Sequence, residues 1–323
     1  MTNSMSDFSV MLFPWDKKKP KVSDIIEITQ LAEDLGFYSA TLPTHMTMPP
    51  GWLFTDFENT EILDALVVVP AMAQATSKIK IGFNSVLFPI LPPYHWAKYL
   101  STLDVMSGGR CIAGTAMGWW EEDFTSVGVD IKKRGKMFTE QLEVITRLWT
   151  EERVTFEGEH YQLKDMTLEP KPIQQPGPPI WIGGGVKSIW RTAKYGECIL
   201  CFWPSEEAIR DTWIPELRKQ GAKYSTDPKL ASFTFVYVAN SDADYLNYHA
   251  HLQTAVGFEN PSVTPEAVTI SGSPEQCASN IKRLQDAGVW HFVLEFQFHG
   301  LESVSFGMKQ MERFAMEVVP LLK

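Results

Sequence analysis

Short apolar runs alternate with longer stretches of helical period along the whole chain, and this alternation marks βα units around a parallel sheet. The runs at 8–13, 38–42, 79–83, 111–115, 180–182, 198–202, 232–239 and 291–296 read as eight strands. A helix is expected after each, at 23–36, 61–76, 94–106, 134–149, 188–195, 206–220, 242–256 and 305–322, with a further helix at 274–287. In the first, Ile25, Ile28, Leu31, Ala32 and Leu35 keep one face apolar, Ser23 is the expected N-cap and Gly36 the stop. Ser273, Pro274 and Gly288 bracket the helix at 274–287 in the same way. Eight such units predict an α/β fold, a closed (β/α)8 TIM barrel with insertions in its βα loops, and one domain over 1–323. A Rossmann sheet needs G-x-G-x-x-G after its first strand, which this chain lacks.

Outside the units lie a small hairpin at 154–163 with Glu157-Gly158 at its turn, a proline-rich linker from Pro170 to Pro179, and an irregular insertion at 257–272. Arg134, Glu140, Glu143 and Arg147 fall at helical spacings and read as solvent-facing pairs. The net charge of −10 disfavours an electrostatic grip on nucleic acid or an anionic membrane. Four cysteines are too few and too scattered for a disulfide framework, and Cys198 and Cys201 belong on opposite faces of one strand. The N-terminus lacks a signal-peptide pattern and no apolar run reaches membrane length, so a cytoplasmic protein is expected. None of the seven histidines forms a dense ligand cluster, and no metal site is expected.

Chemistry is expected where strands end, because barrel active sites are built from βα loops. Gly183-Gly184-Gly185 runs from the fifth strand directly into a helix, where backbone N–H groups and the helix dipole suit a phosphate. A turn needing positive φ is the competing reading, although one glycine satisfies that need. Gly114-Thr115-Ala116-Met117-Gly118-Trp119-Trp120 closes the fourth strand; its small residues leave room for a flat ligand, and its tryptophans either wall that ligand or belong to the core. His45, after the second strand, sits where a general acid or base belongs, or where a satisfied structural histidine would.

Taken in order, several stretches resemble the bacterial luciferase-like monooxygenase superfamily. They are Ile79-Lys-Ile-Gly82, Thr102-Leu-Asp-Val-Met-Ser-Gly-Gly-Arg110, Gly114-Thr-Ala-Met-Gly-Trp119, Arg134-Gly-Lys-Met-Phe138, Phe156-Glu-Gly-Glu-His-Tyr161, Pro170-Lys-Pro-Ile-Gln174, Pro178-Pro-Ile-Trp-Ile-Gly-Gly-Gly185 and Gly272-Ser-Pro-Glu-Gln276. The resemblance implies a barrel that uses reduced FMN, or in one large branch the deazaflavin coenzyme F420. By match of motif, Ser85 and Val86 would pass along the ring system. Met117 and Gly118 would lie near the ring or ribityl chain, and Gly183, Gly184 and Gly185 would hold the phosphate. His45 matches an active-site histidine of several relatives. Sugar-phosphate dehydrogenases of the deazaflavin branch carry a glutamate where this chain has Trp119, which points away from sugar-alcohol oxidation.

Trp52, Phe54, Phe83, Phe88, Trp119 and Trp120 would then make an aromatic pocket for a small apolar substrate. The leading expectation is a monooxygenase that takes reduced FMN from a separate flavin reductase, together with O2, and acts as a homodimer. The alternatives are F420-dependent hydride transfer and a flavin-binding barrel without turnover.

Overall fold

A computed structural model of the chain describes residues 5–13, 15–16, 19–44, 62–256, 265–297 and 302–322. Among them, eight parallel strands form the barrel: β1 (Phe8–Met11), β2 (Ser39–Leu42), β3 (Lys80–Phe83), β4 (Cys111–Ala116), β5 (Ile180–Gly183), β6 (Cys198–Phe202), β7 (Lys229–Val238) and β8 (His291–Glu295). They pair in the order β5-β6-β7-β8-β1-β2-β3-β4, and β4 pairs again with β5, which closes the ring. The helices that pack outside them are α1 (Val22–Leu35), α2 (Ala65–Ala75), α3 (Pro93–Ser107), α4 (Arg134–Thr150), α5 (Ile189–Tyr195), α6 (Ile214–Tyr224), α7 (Pro274–Ala287) and α8 (Val304–Arg313).

Strand alternation sorts the side chains into two cores. Phe8 and Val10 of β1, Ile81 and Phe83 of β3, and Ile180 and Ile182 of β5 point outward into the layer beneath the helices. Met11, Ile112, Trp181, Leu200, Phe233 and Val293 fill the inside of the barrel. Cys198 belongs to the inner core and Cys201 to the outer one, as the odd spacing requires. Burial pushes the Cys198 thiol well up and the Cys201 thiol up to about 12, so both stay protonated near neutral pH.

Helix ends follow their capping residues in most places. Gly36 and Gly108 stop α1 and α3 in the left-handed region, at φ 84° and 68°. Ser273 and Gln276 form a complete capping box on α7. Ser23, the expected cap of α1, instead lies inside the helix; Lys21 occupies the cap position without a side-chain bond, and the Ser23 hydroxyl bonds Asp24.

Other departures have equally local causes. The hairpin is longer than expected, pairing Val154–Glu157 with Gln162–Met166, because the Glu140 carboxylate accepts the N–H groups of Glu159, His160 and Tyr161 and anchors its turn. Glu140 is therefore a hairpin anchor and not a solvent-facing partner. β7 begins at Lys229, and its upper half pairs with a short strand, Thr269–Gly272, inside the segment expected to be irregular. Arg110 holds the opposite end of the barrel: its guanidinium donates to the carbonyls of Ala73, Thr76, Ile79 and Ser107, tying the ends of α2 and α3 to the start of β3.

Gly114 is required by strand packing. A Cβ built there would stand 1.8 Å from the Phe83 carbonyl oxygen, a backbone atom of the neighbouring strand that cannot swing away. Gly114→Ala should cost about 1–3 kcal/mol and lower the melting temperature by several degrees, read by circular dichroism. An unchanged melting temperature would contradict this close approach.

Candidate active site

Every loop that leaves the C-terminal ends of β1 to β6 contributes to one cavity of about 540 Å³, within the range of small-molecule sites. Met11 and Phe13 come from the end of β1, Pro43 and Thr44 follow β2, and Asn84, Ser85 and Leu87 follow β3. Ala116 to Trp119 follow β4, Gly183 to Gly185 follow β5, and Phe202 and Trp203 follow β6. Trp213 reaches in from a π-helical turn, Ile209–Trp213, ahead of α6. No described residue of this lining carries an ionisable side chain; its polar side chains are Thr44, Asn84 and Ser85, together with the indole N–H groups of Trp119, Trp203 and Trp213.

Hydrogen bonds fix the polar side of the cavity. The Thr44 hydroxyl donates to the Ser85 carbonyl at 2.6 Å, and the Thr115 hydroxyl to the Val86 carbonyl at 3.0 Å. The Asn84–Ser85 peptide bond is cis. Gly118 has φ +83°, and a Cβ on it would meet the Phe124 ring at 2.6 Å; Arg134 Nε holds its carbonyl at 3.1 Å. Glycine is required there by both conformation and space.

The three glycines after β5 have three different jobs. Gly183 faces Ser85, whose Oγ would lie 3.0 Å from an added Cβ. Gly184 spends its N–H on the Leu200 carbonyl at 3.1 Å, and a Cβ there would meet Ser188 Oγ at 2.8 Å. Gly185 has nothing within 4 Å of where a Cβ would be. It opens the 3-10 turn Val186–Ser188, whose first N–H groups have no partner within the turn and whose dipole favours an anion. Arg191, one turn further on, is half-buried, stacks on Trp190 at 4.5 Å and donates to Thr139 and to the Gly135 carbonyl. Its guanidinium thus ties α5 to the first turns of α4, and Arg191 is not part of the cavity lining.

Of the residues singled out from sequence, Ser85, Met117, Gly118, Trp119, Gly183, Gly184 and Gly185 meet in this cavity. Trp119 and Phe202, both about half exposed, belong to the lining where it meets solvent. Val86, Phe83 and Phe88 do not line it, because their side chains sit in the outer core. Phe83 shares the outward face of β3 with Ile81 and packs on Tyr99, and Phe88 is fully buried between Trp96 and Phe138. Trp120 leans on Trp119 at the start of the short helix Glu121–Thr125 and is not part of the lining. His45, Trp52 and Phe54 lie outside the described residues.

Phe13 and Phe202 were open to discovery by parity, since they continue the inward series Ser9–Met11 and Cys198–Leu200. Trp203 and Trp213 carry no such signal: one itself adopts a positive φ of 46°, and the other depends on a π turn.

A family model described as luciferase-like monooxygenase matches residues 8–264. An FMNH2-dependent dimethylsulfone monooxygenase of Pseudomonas putida is 30% identical over 92% of this chain and 87% of its own length. An F420-dependent glucose-6-phosphate dehydrogenase of Kineococcus radiotolerans is 28% identical, over 84% of this chain and 88% of its own. The chain spans 66% of the length of an uncharacterized Mycobacterium tuberculosis protein to which it is 28% identical. Among solved structures, the monooxygenase RslO1 from Streptomyces bottropensis superposes with a TM-score of 0.83 at 19% identity, covering 97% of this chain and 99% of that one. The fold, the glycine-rich turn at the barrel mouth and a family match over most of its length agree: the chain belongs to the luciferase-like monooxygenase family.

Proposed function

We propose that this oxidoreductase binds reduced FMN in the cavity and uses it with O2 to oxygenate a small apolar organic substrate. The observation that carries this reading is the pairing of a phosphate-suited turn with a described lining that is aromatic, aliphatic and without charge. The residues fit an FMN. Gly185 leaves an unfilled space at the start of the turn, Gly118 keeps the β4 loop clear, and the cavity volume suits a ring system with a substrate beside it. Bound reduced FMN supplies two electrons to O2, so that one oxygen atom enters the substrate and the other leaves as water.

The chain's own work is positional. Gly183 to Gly185 and the N–H groups of the following turn would hold the phosphate. Ser85, Met117 and Gly118 would flank the ring and ribityl chain. Met11, Phe13, Leu87, Phe202, Trp203 and Trp213 would keep water from the reacting centre and offer a substrate a mostly apolar surface. His45 follows Pro43 and Thr44, both of the cavity wall, and would hold or move a proton that the described lining cannot. Reduced FMN would come from a separate reductase, and a cytoplasmic homodimer is the assembly in which this reading places the chain. Among the described residues, no helix is long and apolar enough to cross a membrane.

A second reading is hydride transfer from F420 without O2, favoured by the F420-dependent relative and by Gly118-Trp119. The same dry pocket serves both. Isotope separates them: with reduced FMN, an apolar substrate and 18O2, one labelled oxygen should appear in the organic product. Anaerobic turnover to an unlabelled, reduced product would support the F420 reading instead. His45→Ala should lower turnover by roughly 10²-fold with little change in melting temperature. A large loss of stability with activity per folded molecule preserved would make His45 structural.

A further inference from the structure

Below the main cavity, inside the barrel, lies a second void of about 10 Å³, the room one water molecule needs. Asn84 and Ser85 belong to the walls of both spaces, so they form the partition between them. Two donors at this void have no partner. Asn84 Nδ2 and Trp181 Nε1 are both buried and make no hydrogen bond, and their residues are 6% and 5% exposed. A buried donor left unpaired loses its hydration with nothing in return, so two at one small void call for an acceptor that the protein does not itself supply.

The opposite wall offers acceptors. Ser39 and Thr41 line the void from β2. The Thr41 hydroxyl donates to the Val10 carbonyl at 3.2 Å, and the Ser39 hydroxyl donates to Ser9 Oγ at 2.7 Å. Each has thereby committed its proton and keeps lone pairs free. Ser9 Oγ in turn lies 2.7 Å from His291 Nε2. Burial pushes the His291 pKa down to about 3, so its ring is neutral, and Ser9 Oγ and His291 Nε2 share one proton. The series runs from Ser39 through Ser9 to His291.

We propose that this void is a binding site for a single water molecule, which accepts from Asn84 Nδ2 and Trp181 Nε1 and donates to Ser39 and Thr41. All four valences of the water are used, and both orphaned donors are satisfied. The water completes a hydrogen-bonded chain through the barrel from Asn84, in the cavity wall, to His291 near the far end. It also fixes the Asn84 carboxamide, with Nδ2 toward the void and Oδ1 toward the Ser85 hydroxyl, 3.5 Å away.

A high-resolution crystal structure of the unaltered protein, with no cofactor added, tests this. One ordered water is expected in the void, within hydrogen-bonding distance of Asn84 Nδ2 and Trp181 Nε1. An empty void, or an Asn84 amide turned so that Nδ2 bonds a protein acceptor, would overturn the proposal. In Ser39→Ala the water loses an acceptor and its density should weaken or disappear; unchanged density would break the link to His291. If that variant does not fold, Thr41→Val puts the same question to the other acceptor, with the same two outcomes.

Discussion

The pairing of β4 with β5 is the contact on which the rest depends, because it turns a curved sheet into a closed barrel. It places Gly183 opposite Ala116, so two of the loops that line the cavity leave from the same rung. Closure also brings the ends of the chain together, with Phe8 of β1 beside Phe292 of β8. An open sheet would splay these loops apart. In the barrel they converge, and Gly114 lets the backbone of β4 approach that of β3 as closely as the packing demands.

Much of this was legible in the sequence, for physical reasons. Eight alternating units fix the barrel, since a period of 2 beside a period of 3.6 leaves few other ways to bury both apolar faces. The triple glycine and Gly118 were visible because a glycine at a strand-to-helix turn has a narrow range of reasons to be there. Side-chain direction at the ends of β3 was harder. Phe83 and Phe88 suggested a pocket by their composition, yet strand parity and the fully buried contacts with Trp96 and Phe138 place them in the outer core. Trp203 and Trp213 depend on a positive φ and a π turn, backbone choices that no local pattern announces.

The cavity combines two solvation regimes at close range. Its aromatic and aliphatic side excludes water and strengthens whatever electrostatic interactions remain. The turn after Gly185, proposed above for the phosphate, supplies backbone N–H groups. An anion neutralised there costs the chain little, because the N–H groups at the start of the turn have no partner within it. The proposed arrangement, a charged cofactor at one end of the space and a neutral substrate at the other, buries no ionisable side chain in the described lining.

The reading stands or falls on whether the turn beginning at Gly185 binds the phosphate of the cofactor. Gly185 has ordinary extended backbone and open space before it, so a side chain there should not disturb the fold. The direct measurement is a binding titration of the unaltered protein and of Gly185→Val with FMN and with riboflavin, which lacks the phosphate. The unaltered protein should prefer FMN by about 10²-fold or more, in line with charge-assisted hydrogen bonds worth roughly 1.5–3 kcal/mol each, and the variant should lose most of that preference. Equal affinity for FMN and riboflavin in the unaltered protein, or an undiminished preference in the variant, would place the phosphate elsewhere and contradict the account.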